Sequence, residues 1–259
     1  MVLTVVSALF VCFDLDSLPP VPVIAGAAIS HDELELEASD GNRFAAFAAE
    51  PEEETTRGIV VMPDIRGLYR FYEELALRFA ERGYAAVAID YYGRTAGLAK
   101  RAEDFSPTEH RDRTLPAHIQ TDVAAGVAYL RSRGCTSVFT IGFCMGGRHS
   151  WLAAAAGHGL AGAIGFYGFP GSRPNRPGPA ELAPKMTAPI LALQAGRDIW
   201  ISTEDNAAFE AALTDAGVEH EVITYDNSPH SFFDRTYVKH AAASADAWQR
   251  VLKFIEGNS

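Results

Sequence analysis

Cysteine is scarce in this chain and badly spaced for any scaffold. Cys12, Cys135 and Cys144 are odd in number and form no CxxC pair. That argues against a disulfide framework and a structural zinc site, and free thiols fit a reducing, cytoplasmic compartment. No HExxH or comparable ligand spacing occurs, so no metal is expected. Basic residues are outnumbered as well: 22 Lys and Arg stand against 33 Asp and Glu, for a net charge of −11. Nucleic acid wants a basic stripe and is not an expected partner. An anionic substrate would need a local basic site working against the global field. No apolar run is long enough to span a bilayer, so no membrane is expected either. The nearest, MVLTVVSALFVCF, lacks a basic n-region and is followed by the acids of DLDS, not by a small-residue cleavage site. Residues 1–33 read as an apolar segment docked on the rest, and residues 34–259 as one domain.

What is present is a regular alternation. ELELEAS and RFAAFAAE flank the turn DGN at 40–42 and predict a β-hairpin. From residue 58 onward, apolar runs alternate with helical patterns. The runs IVVMPD, YAAVAID, CTSVFTIG, LAGAIGFYG, APILALQAG and VEHEVITYD predict strands. YRFYEELALRFAERG, IQTDVAAGVAYLRSRG, CMGGRHSWLAAAAG, TEDNAAFEAALTDAG and AAASADAWQRVLKFIEG predict helices, with Thr203 as an N-cap. Inner strands that are apolar throughout belong in a parallel sheet covered on both faces. Two segments fall outside this rhythm. Residues 94–116 are too long for an ordinary connection and form a functional excursion or carry a short helix. Residues 171–186 are rich in Pro and Gly and read as a surface loop.

GFCMGG, at 142–147, stands where a strand meets a helix. That is the setting of a nucleophile elbow, in which glycines flank a nucleophile on a sharp turn. A cysteine there meets a helix N-terminus, which favours thiolate. Taken alone, Cys144 could also be a small residue closing a strand. The order of polar residues further along the chain decides between them. An elbow enzyme needs an acid and then a histidine at the ends of later strands. AGRD delivers Asp198 and NSPH delivers His230, each in its place. Cys144 would attack, His230 would move the proton, and Asp198 would orient the imidazole. Two backbone N–H groups would hold the oxyanion, from Met145 after the nucleophile and from Ile65 in PDIRG. Asp64 beside Ile65 is either a turn aspartate or a contact of the thiol.

These residues resemble the dienelactone hydrolase family of α/β-hydrolases. The carriers are PDIRGLYRFYEELALRFAERGYAAVAIDYYGR, IGFCMGG, AGRD and SPHSFFDR, and the similarity runs from about residue 34 to the end. Cysteine in the elbow is its specific mark. The resemblance implies the α/β-hydrolase fold, a mostly parallel sheet with helices on both faces. It implies a Cys144–His230–Asp198 triad that hydrolyses a small lactone or ester through a thioester, without a cofactor. It also implies that the acid at 64, glutamate in the family, pairs with the resting thiol. Family members bind a substrate carboxylate with arginines. Arg111 or Arg113 is available for the first role and Arg235 for the second, although Asp234 takes the family's spacing after the histidine. The competing class is a non-catalytic binding protein or a redox sensor built on Cys144. Nothing in the sequence points to a particular oligomeric state.

Overall fold

The computed structural model describes residues 13, 14, 16–102 and 104–259. Cys12 and the apolar run before it lie outside the described residues. Eight strands form one sheet: β1 (Ile29–Glu37), β2 (Arg43–Pro51), β3 (Arg57–Met62), β4 (Ala85–Ile89), β5 (Ser137–Phe143), β6 (Gly162–Phe166), β7 (Ile190–Ala195) and β8 (His220–Tyr225). Their order is β1-β2-β4-β3-β5-β6-β7-β8. The first two pair as the antiparallel hairpin expected around DGN, and β2 meets β4 antiparallel. All other pairings are parallel.

Side chains leave a strand alternately to its two faces. In β3, Ile59 and Val61 join one apolar cluster, while Val60 and Met62 join the other. Helix α1 (Arg70–Ala80) covers the first cluster through Phe71, Tyr72, Leu75 and Phe79. Helix α8 (Ala241–Gly257) joins it there through Trp248, Val251 and Ile255. The second cluster lies under α4 (Pro116–Ser132), α5 (Met145–Ala154) and α7 (Thr203–Asp215). Every residue of β4, β6 and β7 is buried, which explains why their runs are apolar but for Gln194, whose amide donates to the Gly168 carbonyl and to Asn206. No helix among the described residues is long and apolar enough to cross a membrane.

The topology places the site. From β3 the chain moves out to β4 and returns to pair β5 with β3 on its other side. Connections diverge at that point and leave a crevice beyond the carboxyl ends of the strands. Met62 and Gly142 are register partners at the ends of β3 and β5. The loops beyond them therefore start side by side.

The excursion at 94–116 carries two short helices, α2 (Gly93–Ala96) and α3 (Pro107–Arg113). Buried charge ties it down. The Arg101 guanidinium donates to Asp90 at 2.6 Å, and that of Arg94 donates to buried Asp122 at 2.6 Å. The loop at 171–186 holds α6 (Pro179–Leu182) and one turn of 3-10 helix.

One expectation is corrected. The N-cap of α7 is Ser202, not Thr203. Ser202 Oγ accepts the Asp205 N–H at 3.1 Å, and Asp205 Oδ2 accepts the Ser202 N–H at 3.0 Å. Both residues can cap, but only Ser202 has extended backbone and an acid three residues on, which closes a capping box. Ser202→Ala should cost about 1 kcal/mol and lower Tm by roughly 2–4 °C in a chain of this size, measurable by calorimetry.

Candidate active site

Strand β5 ends at Phe143 and α5 begins at Met145, so one residue makes the whole turn. That residue is Cys144, at φ 54° and ψ −110°. A side-chain-bearing residue held there is strained by about 1–3 kcal/mol. The turn survives because its neighbours have no side chains to collide. A Cβ on Gly142 would lie inside the Gly146 carbonyl, and one on Gly146 would strike the Met62 and Pro63 carbonyls. The Cys144 N–H donates to the Phe166 carbonyl at 3.0 Å, and its own carbonyl accepts from Arg148 N–H at 3.1 Å. Backbone bonds thus hold the turn on both sides and leave the thiol facing a cavity.

The structure brings His230 and Asp198 to that thiol. His230 Nδ1 lies 2.6 Å from Asp198 Oδ2. The other carboxylate oxygen, Oδ1, accepts the N–H groups of Trp200 at 2.9 Å and Ile201 at 3.3 Å. The imidazole sits between Tyr167 and Trp200, each ring centroid 4.8 Å away. Burial alone would push His230 down. The Cys144 thiolate and the hydrogen bonds to Asp198 and Cys144 outweigh it and raise the imidazole to about 10. A negative sulfur and the carboxylate thus both favour the protonated ring over the neutral one.

Ile65 and Met145 border the same cavity. Met145 opens α5, so its N–H has no acceptor within the helix. The loop carrying Ile65 is pinned by tyrosines. Tyr91 and Tyr92 donate to the carbonyls of Pro63 at 2.9 Å and Ile65 at 2.6 Å, and the Asp64 N–H donates to the Tyr72 hydroxyl at 2.8 Å.

Asp64 is fully buried. One oxygen accepts Arg66 N–H at 2.9 Å and the other accepts the Tyr69 hydroxyl at 3.3 Å. Burial raises its pKa to about 7, against the Arg66 N–H and with help from the charge on Cys144. The carboxyl and the thiol thus feel one another as like charges.

The cavity is about 390 Å³ in volume. Its lining combines aromatic and aliphatic side chains, Tyr167, Phe169, Trp200 and Ile201, with the arginines Arg111, Arg148, Arg173 and Arg176; the guanidinium groups of Arg148 and Arg173 lie 5.7 and 5.6 Å from the Phe169 ring centroid. Arg111 is bound to its neighbour Asp112 at 2.7 Å. Arg148 is buried and donates to the carbonyls of Phe169, Gly171 and Pro177, clamping the loop that bears Arg173 and Arg176. Burial, then the charges of Arg173 and Arg176, pulls Arg148 down to about 10. Among the described residues, Arg173 and Arg176 have no carboxylate within ion-pair distance. His149 also borders the cavity, and burial together with the charges of Arg148, Arg173 and Arg176 pushes it to about 3, leaving it neutral.

The sequence model of the Dienelactone hydrolase family matches residues 44–259. The chain belongs to that family. A carboxymethylenebutenolidase of Rhodococcus opacus is 31% identical over 264 residues, covering 95% of this chain and 96% of its own. A solved Klebsiella pneumoniae protein, titled as a candidate dienelactone hydrolase, superposes with a TM-score of 0.80 at 25% identity over 88% of this chain and 99% of its own. A dienelactone hydrolase-like promiscuous phosphotriesterase from metagenomic libraries shares the fold, with a TM-score of 0.74 at 24% identity over 89% of this chain and 99% of its own. This family member is a hydrolase with the α/β-hydrolase fold.

Two expected arginines are not in this family member's cavity. Arg113 is exposed at the end of α3 and does not line the cavity, although its neighbours Asp112 and Thr114 do. Arg235 borders a separate depression with Leu18 and Val21, and its N–H donates to the Leu18 carbonyl at 3.0 Å. The cause is Asp234, which turns inward to accept the Ser17 hydroxyl at 2.7 Å and directs the next residue outward. Arg148, Arg173, Arg176 and Trp200 were not anticipated. Two lie in a segment without periodicity, and Arg148 lies in a helix pattern that says nothing of its partners.

Asp64 holds its proton more tightly folded than unfolded. Its contribution to stability is full below 3.8 and is lost as pH rises through about 7. Asp64→Asn should therefore gain on wild type in Tm between about pH 5 and pH 8. It should also remove an inflection near pH 7 from the rate of Cys144 alkylation. Parallel Tm profiles and an unchanged inflection would count against the coupling.

Proposed function

We propose that this chain hydrolyses a small lactone or carboxylic ester that bears a carboxylate, through a thioester on Cys144. The observation that carries the reading is the chain of contacts from Cys144 through His230 to Asp198 at the floor of a cavity of small-molecule size.

The Cys144 thiolate adds to the substrate carbonyl carbon. The carbonyl electron pair moves to oxygen, where the N–H groups of Ile65 and Met145 hold it, the second aided by the α5 dipole. The oxyanion collapses, the carbon–oxygen bond to the leaving group breaks, and His230 gives that oxygen its proton. In a lactone the released oxygen stays tethered to the acyl chain.

The electrostatics favour this sequence. The thiolate is what holds the His230 proton so tightly. Once sulfur is acylated its charge is gone, burial dominates, and the imidazolium becomes a better acid. Neutral His230 then takes a proton from water, hydroxide attacks the thioester, and the thiolate leaves and restores the ion pair. Asp198 keeps the ring oriented throughout.

Arg173 and Arg176 are the groups suited to the substrate carboxylate, since they face the cavity without acids of their own. Arg111 has Asp112 to satisfy it.

Initial rates on cis- and trans-dienelactone, uncharged lactones and short p-nitrophenyl esters test the reading. Cys144→Ala should fold with the wild-type Tm or above and lose turnover of every substrate, whereas retained turnover would remove Cys144 as nucleophile. Arg173→Ala and Arg176→Ala should each raise KM for the carboxylate-bearing lactones by about tenfold or more, the loss expected of a hydrogen bond to a charged group. KM for neutral esters should change far less. Equal effects on both substrate types would discard the carboxylate.

A further inference from the structure

We propose that the described residues 13, 14 and 16–18 form a strap that sets the relative positions of the three loops bearing the reacting groups. The proposal rests on the hydrolase reading above. The strap lies outside the stretch matched by the family model, which begins at residue 44.

Its contacts reach each loop in turn. The Phe13 carbonyl accepts from Arg66 Nη1 at 3.1 Å, and Arg66 directly follows Ile65. The Phe13 ring is buried and stacks on Phe71 with centroids 4.0 Å apart. Its edges meet Phe143, the residue before Cys144, and Tyr72, whose hydroxyl accepts the Asp64 N–H. Ser17, also buried, donates to Asp234 at 2.7 Å, and the Leu18 carbonyl accepts Arg235 N–H at 3.0 Å. Asp234 and Arg235 lie further along the same loop that carries His230, between β8 and the 3-10 turn at Val238–His240. A turn between Asp14 and Ser17, closed by the Ser17 N–H to the Asp14 carbonyl at 3.0 Å, holds the two sets of contacts at a fixed spacing.

This short segment therefore touches the oxyanion loop, the support of the nucleophile and the base of the histidine loop. None of its described residues borders the cavity. Phe13 and Ser17 are positioning residues: they act on Ile65, Cys144 and His230 through Arg66, Phe143 and Asp234. A buried carboxylate that loses its hydroxyl donor must move or find water. The loop that carries His230 would move with it.

The test uses the full chain with Ser17→Ala, Ser17→Thr and Phe13→Ala. Two quantities are read: kcat and KM on the best substrate of the panel, and the pH profile of iodoacetamide alkylation mapped to Cys144. Ser17→Ala should lower kcat about tenfold with KM within about twofold, since displacing a reacting group by about 1 Å costs up to about a hundredfold. Its alkylation profile should shift as the thiolate–imidazolium contact loosens. Ser17→Thr keeps the hydroxyl and should restore both. Phe13→Ala should reproduce the kcat loss. Unchanged kcat and alkylation profile in folded Ser17→Ala and Phe13→Ala, even with a lower Tm, would reduce the strap to core packing. If wild type shows no Cys144-dependent turnover, the hydrolase reading has failed instead. The alkylation profiles then decide the strap by themselves.

Discussion

No side chain fits between the end of β5 and the first turn of α5, and the site is organised around that constraint. Gly142 and Gly146 let two backbone segments touch, and β3 closes against the same helix through the Met62 and Pro63 carbonyls. The contact forces Cys144 into a backbone conformation that few residues accept. It also aims the sulfur away from the sheet and leaves the Met145 N–H without a helical acceptor. A looser junction would relax the cysteine and lose both consequences. Local strain is sustained here because β3, β5 and β6 all bond or pack against the turn.

The charges around the turn form a graded series. His230 is raised to about 10, Asp64 to about 7, and His149 is lowered to about 3. Burial is the largest single influence on each, raising the Asp64 carboxyl and lowering both imidazoles. Only at His230 do the partners, the Cys144 sulfur and Asp198, outweigh it. His149 has only cations beside it, which push the same way as burial. The same cavity thus favours the charged ring at one histidine and the neutral ring at another. The cations beside His149 belong to a chain whose net charge is −11. A cluster of arginines without acids is therefore a local departure from the composition, held by the carbonyls that Arg148 gathers.

Much of this was legible in the sequence. The inner strands announced themselves because parallel strands buried on both faces need apolar residues at every position. The order Cys144, Asp198, His230 was legible because each residue comes within a short loop of the end of a strand run. Where path mattered, the sequence was silent. Arg111 and Arg113 lie two residues apart on α3, and only the packed phase of that helix puts Arg111 at the cavity and Arg113 in solvent. Arg173 and Arg176 sit in a loop whose Pro and Gly residues carry no period. It took the clamp from Arg148 to bring that loop inward. Asp234 could be seen to displace Arg235 from its expected spacing. Its bond to Ser17 spans 217 residues and could not be foreseen.

The register of β3 and β5 separates what this molecule does from what it does it to. Ile65 and Met145 each come three residues after the paired ends Met62 and Gly142. The segments that carry them therefore leave the sheet side by side. The cavity walls come from elsewhere, chiefly from the excursion at 94–116 and the loop at 169–186. Those segments are tied down by a few side-chain anchors: Arg94 to Asp122 of α4, Arg101 to Asp90 just after β4, and Arg148 of α5 to the carbonyls of the second segment. The fold is in that sense divisible: the paired ends of β3 and β5 carry Ile65 and Cys144, and two surface segments shape the cavity beside them.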